Sequence, residues 1–396
     1  MKKILFVIPT MRMGGAEQSL VSLLNQLSSR KYQIDLLLFE KNGELLDRIP
    51  KYVRVMESDT VTRAMLLEFR YFFSDLLHGH HYYAAAIRIL MLLNSKLEKV
   101  FKRPLAFNWN LAKHTVPRRM EEYDIAVGYL EGATDAYVID KISAKRKIAW
   151  IHTDFSLPGR HLNAEKKYYS AYDALITISE LCLSHFIDIY PNFARKISVI
   201  ENITNRDMIL RKAEEPIEKS YQIGPHTLVT VGRLEKVKGI DLALEAAKIL
   251  HDRGIEFSWH VFGDGAMHET LQKRICELKM ENYFFLEGTT SNPYKYMKCA
   301  EVVVQPSRNE GKSIVLDEAK ILNKPIVVTN YPSAKDQITD GITGLIVEIT
   351  PNSIADGINR ILSDMSLGKE LSENCRTEED QTEVILNKIS KILEGE

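Results

Sequence analysis

Short apolar runs alternate with longer amphipathic stretches along most of the 396 residues. Alternation of this kind is typical of βα units built on mostly parallel sheets. In the first half, the amphipathic stretches predict helices at Ala16–Ser29 and Glu180–Tyr190. The apolar runs predict strands at Ile4–Ile8, Ile34–Phe39, Ile125–Tyr129, Ile148–Ile151 and Ala174–Ile178.

A second series of such units begins at Thr227–Gly232, where an apolar run ends in a glycine. The polar stretch Arg206–Lys219 separates the two series and is predicted to be a linker. Further strands are predicted at Ser258–Phe262, Tyr283–Leu286, Val302–Gln305, Pro325–Val328 and Gly344–Val347, and helices at Ile240–Asp252, Ala266–Leu278, Ile314–Leu322 and Ser353–Ser363.

Two such series, in a chain of this length, indicate two domains of roughly 150–200 residues each. We therefore predict an α/β fold of two facing Rossmann-like, doubly wound domains with an interdomain cleft at the carboxyl ends of both sheets. The N-terminal domain is predicted at 1–205, with a helical insertion at 61–120, and the C-terminal domain at 206–375. Residues 376–396 are predicted to form a helix that packs back on the N-terminal domain.

Overall charge and cysteine content exclude several classes of protein. The formal charge is −1, which gives no reason to expect nucleic-acid binding. Cys182, Cys276, Cys299 and Cys375 are far apart, so neither a zinc site nor a disulfide framework is predicted, and a reducing cytoplasm is expected. The first apolar run is short and lacks a cleavage site, which favours a buried strand over a signal peptide. No stretch approaches the ~18–20 apolar residues that span a bilayer.

Residues 61–120 differ from the rest because they hold ten Lys or Arg and three Asp or Glu among many aromatic and aliphatic residues. A locally cationic amphipathic region in a near-neutral protein suits an anionic membrane surface. The alternative is a set of helices that pack on their own domain, with the charge merely solvated. Under the first interpretation the protein attaches peripherally to the inner face of the cell membrane. The membrane-contact candidates are Arg63, Arg70, Lys99, Lys102 and Arg103.

The first candidate binding loop directly follows the strand predicted to end at Gly232. Glycine lets the backbone approach a ligand closely. Arg233 can fork onto phosphate oxygens, and Lys238 supplies a movable point charge. For this segment taken alone, an ordinary basic surface loop is the alternative.

A second loop follows the strand predicted at Val302–Gln305 and opens a helix. The start of a helix leaves backbone amides free, which favours a phosphate. Glu310 precedes this helix, and Glu318 lies inside it, where a carboxylate can accept two ribose hydroxyls. A surface helix with ordinary acids is the alternative. The amides expected to be free belong to Gly311, Lys312, Ser313 and Ile314.

In combination the two loops are more specific than either alone. The pattern Arg-x-x-x-x-Lys, followed in the second series by Glu-Gly-x-x-x-x-x-x-Glu-Ala, resembles the donor half of the family 4 retaining glycosyltransferases, which have the GT-B fold. Many members carry an aromatic residue where this chain has Lys312-Ser313, and the variant looks like the subset that builds bacterial surface polysaccharides. The resemblance also includes Gly14-Gly15-Ala16-Glu17, His152, Ile176-Thr177-Ile178-Ser179, Gly263-Asp264-Gly265, Pro325-Ile326-Val327-Val328-Thr329 and Gly341-Ile342-Thr343-Gly344.

The resemblance implies roles for the residues of the second series. Arg233 and Lys238 would bind the donor diphosphate and stabilise the charge that grows on the leaving nucleoside diphosphate. Glu310 would lie against the transferred sugar, the amides after Gly311 would contact sugar or phosphate, and Glu318 would hold the ribose.

In the first series, Gly14 and Gly15 would form the amino-terminal side of the diphosphate pocket. His152 would reach the sugar near its anomeric centre and, with Glu310, is the catalytic candidate. A lone histidine after a strand is also often a satisfied core residue.

The implied reaction is transfer of a hexose from a nucleotide diphosphate sugar, a UDP-sugar by family precedent, to a lipid-linked or surface-polysaccharide glycan. No cofactor is expected. GT-A enzymes hold a metal on an Asp-x-Asp element that this chain lacks, and Arg233 and Lys238 can supply the metal's electrostatic work. We expect retention of configuration through a loose, oxocarbenium-like transition state. The alternatives are a soluble metabolite or protein acceptor, a sugar-nucleotide epimerase, or a sugar-nucleotide binder without turnover.

Overall fold

The chain divides into two compact units. The computed structural model describes residues 1–12, 14–27, 31–67, 76–101, 108–153, 155, 161–218, 221, 224–376 and 382–395. The first unit comprises Met1–Ile203 together with Thr382–Glu396, and the second comprises Thr204–Gln381.

Within the described residues, the first unit is built on a seven-stranded sheet whose paired strands are all parallel. The order across the sheet is β3-β2-β1-β4-β5-β6-β7. The strands are β1 Lys2–Ile8, β2 Tyr32–Leu38, β3 Arg54–Glu57, β4 Glu122–Gly128, β5 Ser143–Ile151, β6 Ala174–Thr177 and β7 Ile197–Val199. The α-helices are Gly15–Gln26, Thr60–Leu66, Tyr82–Phe101, Asn108–Ala112, Ala133–Lys141, Leu162–Ala171, Glu180–Ile189 and Thr382–Glu394.

The central strands of this sheet place apolar side chains on both faces because both faces of the sheet are covered. In β1, Leu5 and Val7 join one hydrophobic cluster, whereas Ile4, Phe6 and Ile8 join the cluster on the other face. Successive side chains of a strand point to opposite faces, so one strand contributes to two cores.

The second unit repeats this plan with six parallel strands among its described residues, in the order β10-β9-β8-β11-β12-β13. The strands are β8 Thr227–Val231, β9 Ser258–Phe262, β10 Phe284–Gly288, β11 Val302–Gln305, β12 Ile326–Thr329 and β13 Leu345–Val347. The α-helices are Arg206–Ala213, Ile240–Asp252, His268–Leu278, Tyr294–Cys299, Ile314–Ile321, Ala334–Gln337, Pro351–Ser363 and Met365–Arg376.

The prediction of two Rossmann-like α/β domains is confirmed, because each sheet has the doubly wound strand order. In each unit the order reverses beside the first strand, between β1 and β4 and between β8 and β11. Loops at the carboxyl ends of strands that flank such a switch point lie side by side and form the usual ligand site of the fold.

The prediction of a linker at Arg206–Lys219 is wrong for its first half. Arg206–Ala213 is a helix capped by Asn205, whose side chain accepts a hydrogen bond of 3.0 Å from the Met208 amide. Ile209 and Ala213 are buried in a core of the second unit. This short helix is rich in charged residues, so its composition alone does not reveal the apolar face that packs into the core.

The helix Thr382–Glu394 packs on the first unit. Ile389 and Leu393 join the hydrophobic cluster that contains Ile4. The Tyr32 hydroxyl donates a hydrogen bond of 3.0 Å to Glu394 Oε1, and Arg146 Nε donates one of 3.1 Å to the Ile392 carbonyl.

Some of the cations in the segment 61–120 make contacts within the first unit. Arg88 is buried, and its guanidinium donates a hydrogen bond of 3.2 Å to the Met65 carbonyl. Arg63 forms an ion pair of 3.0 Å with Glu57 on β3. Among the described residues, no helix combines the length and the apolar character needed to cross a bilayer. Of the membrane-contact candidates, Arg70, Lys102 and Arg103 lie outside the described residues, as does the side chain of Lys99.

Candidate active site

Two loops at the switch point of the second unit are fastened to each other. The first follows β8 and the second follows β11, which is its neighbour in the sheet. The backbone amide of Arg308, in the second loop, donates to the Val237 carbonyl at 2.7 Å. Its guanidinium donates to the Lys236 carbonyl and forks onto Asp241 at 2.7 and 2.8 Å. Backbone and side chain therefore fix the spacing between the loops.

The Asp241 carboxylate stays ionised because of these contacts. Burial alone would raise the pKa of Asp241, but hydrogen bonds from Arg308 and Lys236 outweigh burial and lower this pKa. A carboxyl whose pKa is lowered on folding contributes stability above its ordinary pKa of about 4, and that contribution is lost as the pH falls further. The fastening of the loops is therefore complete at neutral pH.

The close approach of the loops requires glycine at position 239. Gly239 has a φ of +69°, and a Cβ there would lie 1.9 Å from the Pro306 carbonyl oxygen. Only a residue without a side chain permits both this left-handed backbone and this contact. Gly239 thereby sets the position of the preceding residue, Lys238.

Lys238 and Glu310 meet at the centre of the two loops. The Lys238 Nζ lies 2.7 and 2.8 Å from the two carboxylate oxygens of Glu310. The same carboxylate accepts hydrogen bonds from Ser307 Oγ at 2.7 Å and from Gln305 Nε2 at 3.0 Å. The exposed fractions of the Lys238 and Glu310 side chains are 21% and 10%. The result is a partly sheltered cation held at a fixed place by a carboxylate.

Polar residues on β12 and on the segment after it hold the second loop, and of these the sequence did not single out Ser333 and Gln337. Thr329 Oγ1 donates to the Ser307 carbonyl at 2.5 Å, and Ser333 Oγ donates to the Glu310 carbonyl at 2.7 Å. The Gln337 side chain accepts from the Ser313 amide at 2.8 Å and donates to the Ser313 carbonyl at 2.7 Å. The expectation of a free amide at Ser313 is therefore wrong, because the Gln337 carboxamide occupies it.

The helix Ile314–Ile321 begins directly after this loop. Glu318, the expected ribose ligand, has only 2% of its surface exposed and accepts a hydrogen bond of 3.1 Å from the Tyr294 hydroxyl. Lys312 Nζ lies 4.0 Å from the Asp317 carboxylate. Glu318 is therefore buried, and its carboxylate is held by the Tyr294 hydroxyl.

Arg233 lies at the outside of the first loop. Its side chain is 58% exposed and forms an ion pair of 2.7 Å with Glu235. The neighbouring Gly232 carbonyl would lie 1.9 Å from a Cβ on Gly263, so the loop after β9 packs closely against this one. Arg233 therefore has a fixed backbone and an exposed guanidinium.

In the first unit, Gly14 caps the helix Gly15–Gln26 in an extended conformation. A Cβ on Gly14 would lie 2.2 Å from Glu17 Oε2, so the absence of a side chain leaves room for that carboxylate. Ser19 on the same helix donates to Asn202 Oδ1 at 2.7 Å and lies 3.0 Å from the Tyr129 hydroxyl. This buried network fastens the helix start at the carboxyl end of the sheet.

His152 follows β5 at the same end of the first sheet. Its backbone amide donates to Glu131 Oε2 at 3.0 Å. The imidazole stacks on Trp150 and contacts the Tyr129 ring, with centroids 6.4 and 4.9 Å away. Its buried Nε2 has no hydrogen-bond partner among the described residues. Burial lowers the pKa of His152 to about 3, so the ring is neutral at pH 7.

A neutral His152 predicts a specific pH response. The folded protein protonates this ring only near pH 3, whereas the unfolded chain does so near its ordinary pKa of 6.5. Between these values the unfolded state binds more protons. The contribution of His152 to the free energy of unfolding is therefore fully present above about pH 6.5 and falls as the pH drops toward about 3.

We expect the Hε1 NMR signal of His152 to stay constant from about pH 8 to about pH 5 in the native protein. The same signal in denaturant should titrate near its ordinary pKa, and the variant His152→Gln identifies it. A native titration midpoint near 6.5 would contradict the structure.

Within the described residues, no group of three or more His, Cys, Asp or Glu side chains is placed to hold a metal ion.

Comparison with known proteins relates this geometry to a family. Residues 213–378 match the model of the glycosyl transferases group 1. The Anabaena protein Alr3699/HepE, solved in complex with UDP-glucose, superposes with a TM-score of 0.70 at 16% identity, and all of both chains is covered. The chain is therefore of the GT-B type by fold, and most of its second unit matches the group 1 pattern by sequence.

Curated relatives match part of the chain. It is 30% identical over 179 residues to the alpha-D-kanosaminyltransferase of Streptomyces kanamyceticus, which is 44% of this chain and 46% of that protein. It is 31% identical over 196 residues to the N-acetylgalactosamine-N,N'-diacetylbacillosaminyl-diphospho-undecaprenol 4-alpha-N-acetylgalactosaminyltransferase of Campylobacter jejuni, which is 48% of this chain and 52% of that protein. The matches span about half the length of these curated relatives.

Proposed function

We propose that this protein is a retaining glycosyltransferase that moves a hexose from a nucleotide diphosphate sugar to a glycan acceptor. The observation that carries the proposal is the Lys238–Glu310 pair, which holds a cation between two interlocked loops at a doubly wound switch point. In such a position a lysine neutralises the charge that develops on a leaving diphosphate. The match of the surrounding residues 213–378 to group 1 glycosyltransferases supports the same chemistry.

The donor we propose is a UDP-sugar. Support comes from the fold, because the similar Anabaena structure contains UDP-glucose. The Arg233 side chain is exposed, whereas the Lys238 side chain is sheltered. We propose that Arg233 binds the part of the diphosphate nearer to solvent and Lys238 the part deeper in the site. Together they supply the charge that a metal ion supplies in other transferases, so we propose that turnover needs no metal or other cofactor.

For the acceptor we propose a lipid-linked or surface-polysaccharide glycan. The Campylobacter relative is named for a diphospho-undecaprenol acceptor. A soluble acceptor is the second candidate. For the chemistry we propose that Glu310 stabilises an oxocarbenium-like transition state and that the neutral His152 hydrogen-bonds to the sugar through Nε2.

The test is release of free UDP from a panel of UDP-hexoses with the purified full chain. We expect release to depend on added undecaprenyl-diphosphate glycan, to continue in excess EDTA, and to give a product with the anomeric configuration of the donor. An epimerase would convert the donor without releasing UDP, and a binder would do neither. UDP release with a soluble sugar but not with the lipid-linked glycan would move the assignment to the second candidate.

A further inference from the structure

The helix Tyr82–Phe101 carries a continuous apolar face on the surface of the first unit. Eight of its large hydrophobic side chains have exposed fractions between 48% and 73%. They recur at the spacing of one helical stripe, so they form a single surface. We call this surface the outer face; it consists of Tyr82, Tyr83, Ile89, Leu90, Leu93, Leu97, Val100 and Phe101.

The opposite face of the helix is anchored, so the outer face is a fixed feature of the fold. Ala84, Ala85 and Met91 are buried in a core of the first unit. The buried Arg88 donates hydrogen bonds to the carbonyls of Met65 and Leu67. Rotating the helix to bury its outer face would expose these residues and break these hydrogen bonds. Such a rotation would therefore lower the stability of the first unit.

Charge around the helix identifies the partner. Lys96 is exposed within the helix. The one acid of the helix, Glu98, lies 3.5 Å from the His161 ring and accepts a hydrogen bond from Asn94. An apolar stripe with the exposed Lys96 at its edge fits the interface of an anionic bilayer, where the apolar side chains enter the acyl region and the lysine meets headgroups.

A second copy of the chain fits this surface less well. Two outer faces packed together would bring the Lys96 side chains of both copies into the contact, and like charges at an interface oppose association. Tyr82 and Tyr83 at the start of the stripe are residues typical of the headgroup level of a bilayer. At 20 residues the helix is about 30 Å long, enough to lie along the membrane plane.

We propose that the outer face docks the protein on an anionic lipid bilayer, with the helix parallel to the membrane plane. The apolar side chains supply the binding energy, and the exposed Lys96 favours anionic lipid. This docking surface is distinct from the five cations named from the sequence, of which Arg63 is paired with Glu57. It is also independent of the proposed reaction, because docking requires no nucleotide.

The experiment measures sedimentation of the full chain with vesicles of equal parts phosphatidylglycerol and phosphatidylcholine, and with pure phosphatidylcholine vesicles. The wild type should bind the mixed vesicles and bind the pure ones much more weakly. The variant Leu90→Gln, Leu93→Gln, Leu97→Gln should lower the vesicle partition coefficient by about 100-fold or more. Its unfolding temperature should match the wild type, because these side chains are exposed.

A matched control replaces three exposed apolar residues elsewhere: Leu210→Gln, Ile342→Gln and Val384→Gln. This control should bind vesicles as the wild type does. Vesicle binding by the Leu90/Leu93/Leu97 variant at the wild-type level would overturn the proposal. So would a lipid-free wild-type dimer that this variant converts to monomers, because the outer face would then be a contact between copies. UDP binding by the Leu90/Leu93/Leu97 variant, measured without lipid, should be unchanged. The vesicle assay therefore tests docking, and the UDP assay tests the proposed reaction independently.

Discussion

Replacing Lys238 by alanine is expected to lower kcat/KM for the sugar donor by about 100- to 1,000-fold. The Lys238 Nζ is held 2.7 and 2.8 Å from the Glu310 oxygens, and its side chain is mostly sheltered from solvent. A water molecule in its place would not supply the positive charge. Affinity for UDP alone should fall as well, because the diphosphate loses a cation. Lys273→Ala, which removes an exposed positive charge from the same unit, should leave both quantities within about twofold.

A double-mutant cycle with Glu310→Gln separates two explanations of this loss. If Lys238 serves only to position Glu310, the double variant should be no worse than Glu310→Gln alone. If it also contacts the diphosphate, UDP affinity should fall in both backgrounds, and this is the result we expect. Near-normal turnover of Glu310→Gln with an unchanged product anomer would refute a charge role for Glu310.

Substituting alanine for Gly239 is expected to cost about 3 kcal/mol or more of the free energy of unfolding. The new Cβ would lie 1.9 Å from the Pro306 carbonyl oxygen, so either the first loop or the second must move. Such movement also shifts Lys238, the next residue back, so UDP affinity should fall together with stability. Chemical denaturation and calorimetric titration of UDP measure the two effects.

Gly254→Ala is the control for backbone strain. Gly254 has a φ of +77°, close to the +69° of Gly239, but no heavy atom lies within 4 Å of a Cβ built there. A left-handed conformation alone costs about 1 kcal/mol for alanine. Equal losses in the two variants would mean that the contact with Pro306 is unimportant.

The sequence was enough to predict the strands at the centres of both sheets and insufficient for the two edge strands of the first sheet. Ser258–Phe262 and Val302–Gln305 have the predicted bounds because both of their faces are buried and most of their residues are apolar. Arg54–Glu57 and Ile197–Val199 were not predicted. They are the edge strands of the first sheet, and partial exposure leaves them without a continuous apolar run.

Within the candidate site, the residues with distinctive chemistry were identified and the residues that hold them were not. Lys238 and Glu310 were identified by charge and spacing, and the structure pairs them. Ser333 and Gln337 are ordinary polar residues whose role exists only because β11 and β12 pair in a register that brings the following segments together. That register depends on contacts between segments that are distant in the sequence, so no local sequence pattern predicts it.

The return of the helix Thr382–Glu394 to the first unit has a consequence for biosynthesis. Ile389 and Leu393 complete a hydrophobic cluster whose other members, such as Ile4, are translated at the beginning of the chain. The ribosome makes the entire second unit between these two events. The half of the protein that is synthesised first is therefore the last to finish folding. A nascent chain that stalls before Thr382 would display an open apolar gap to chaperones and proteases.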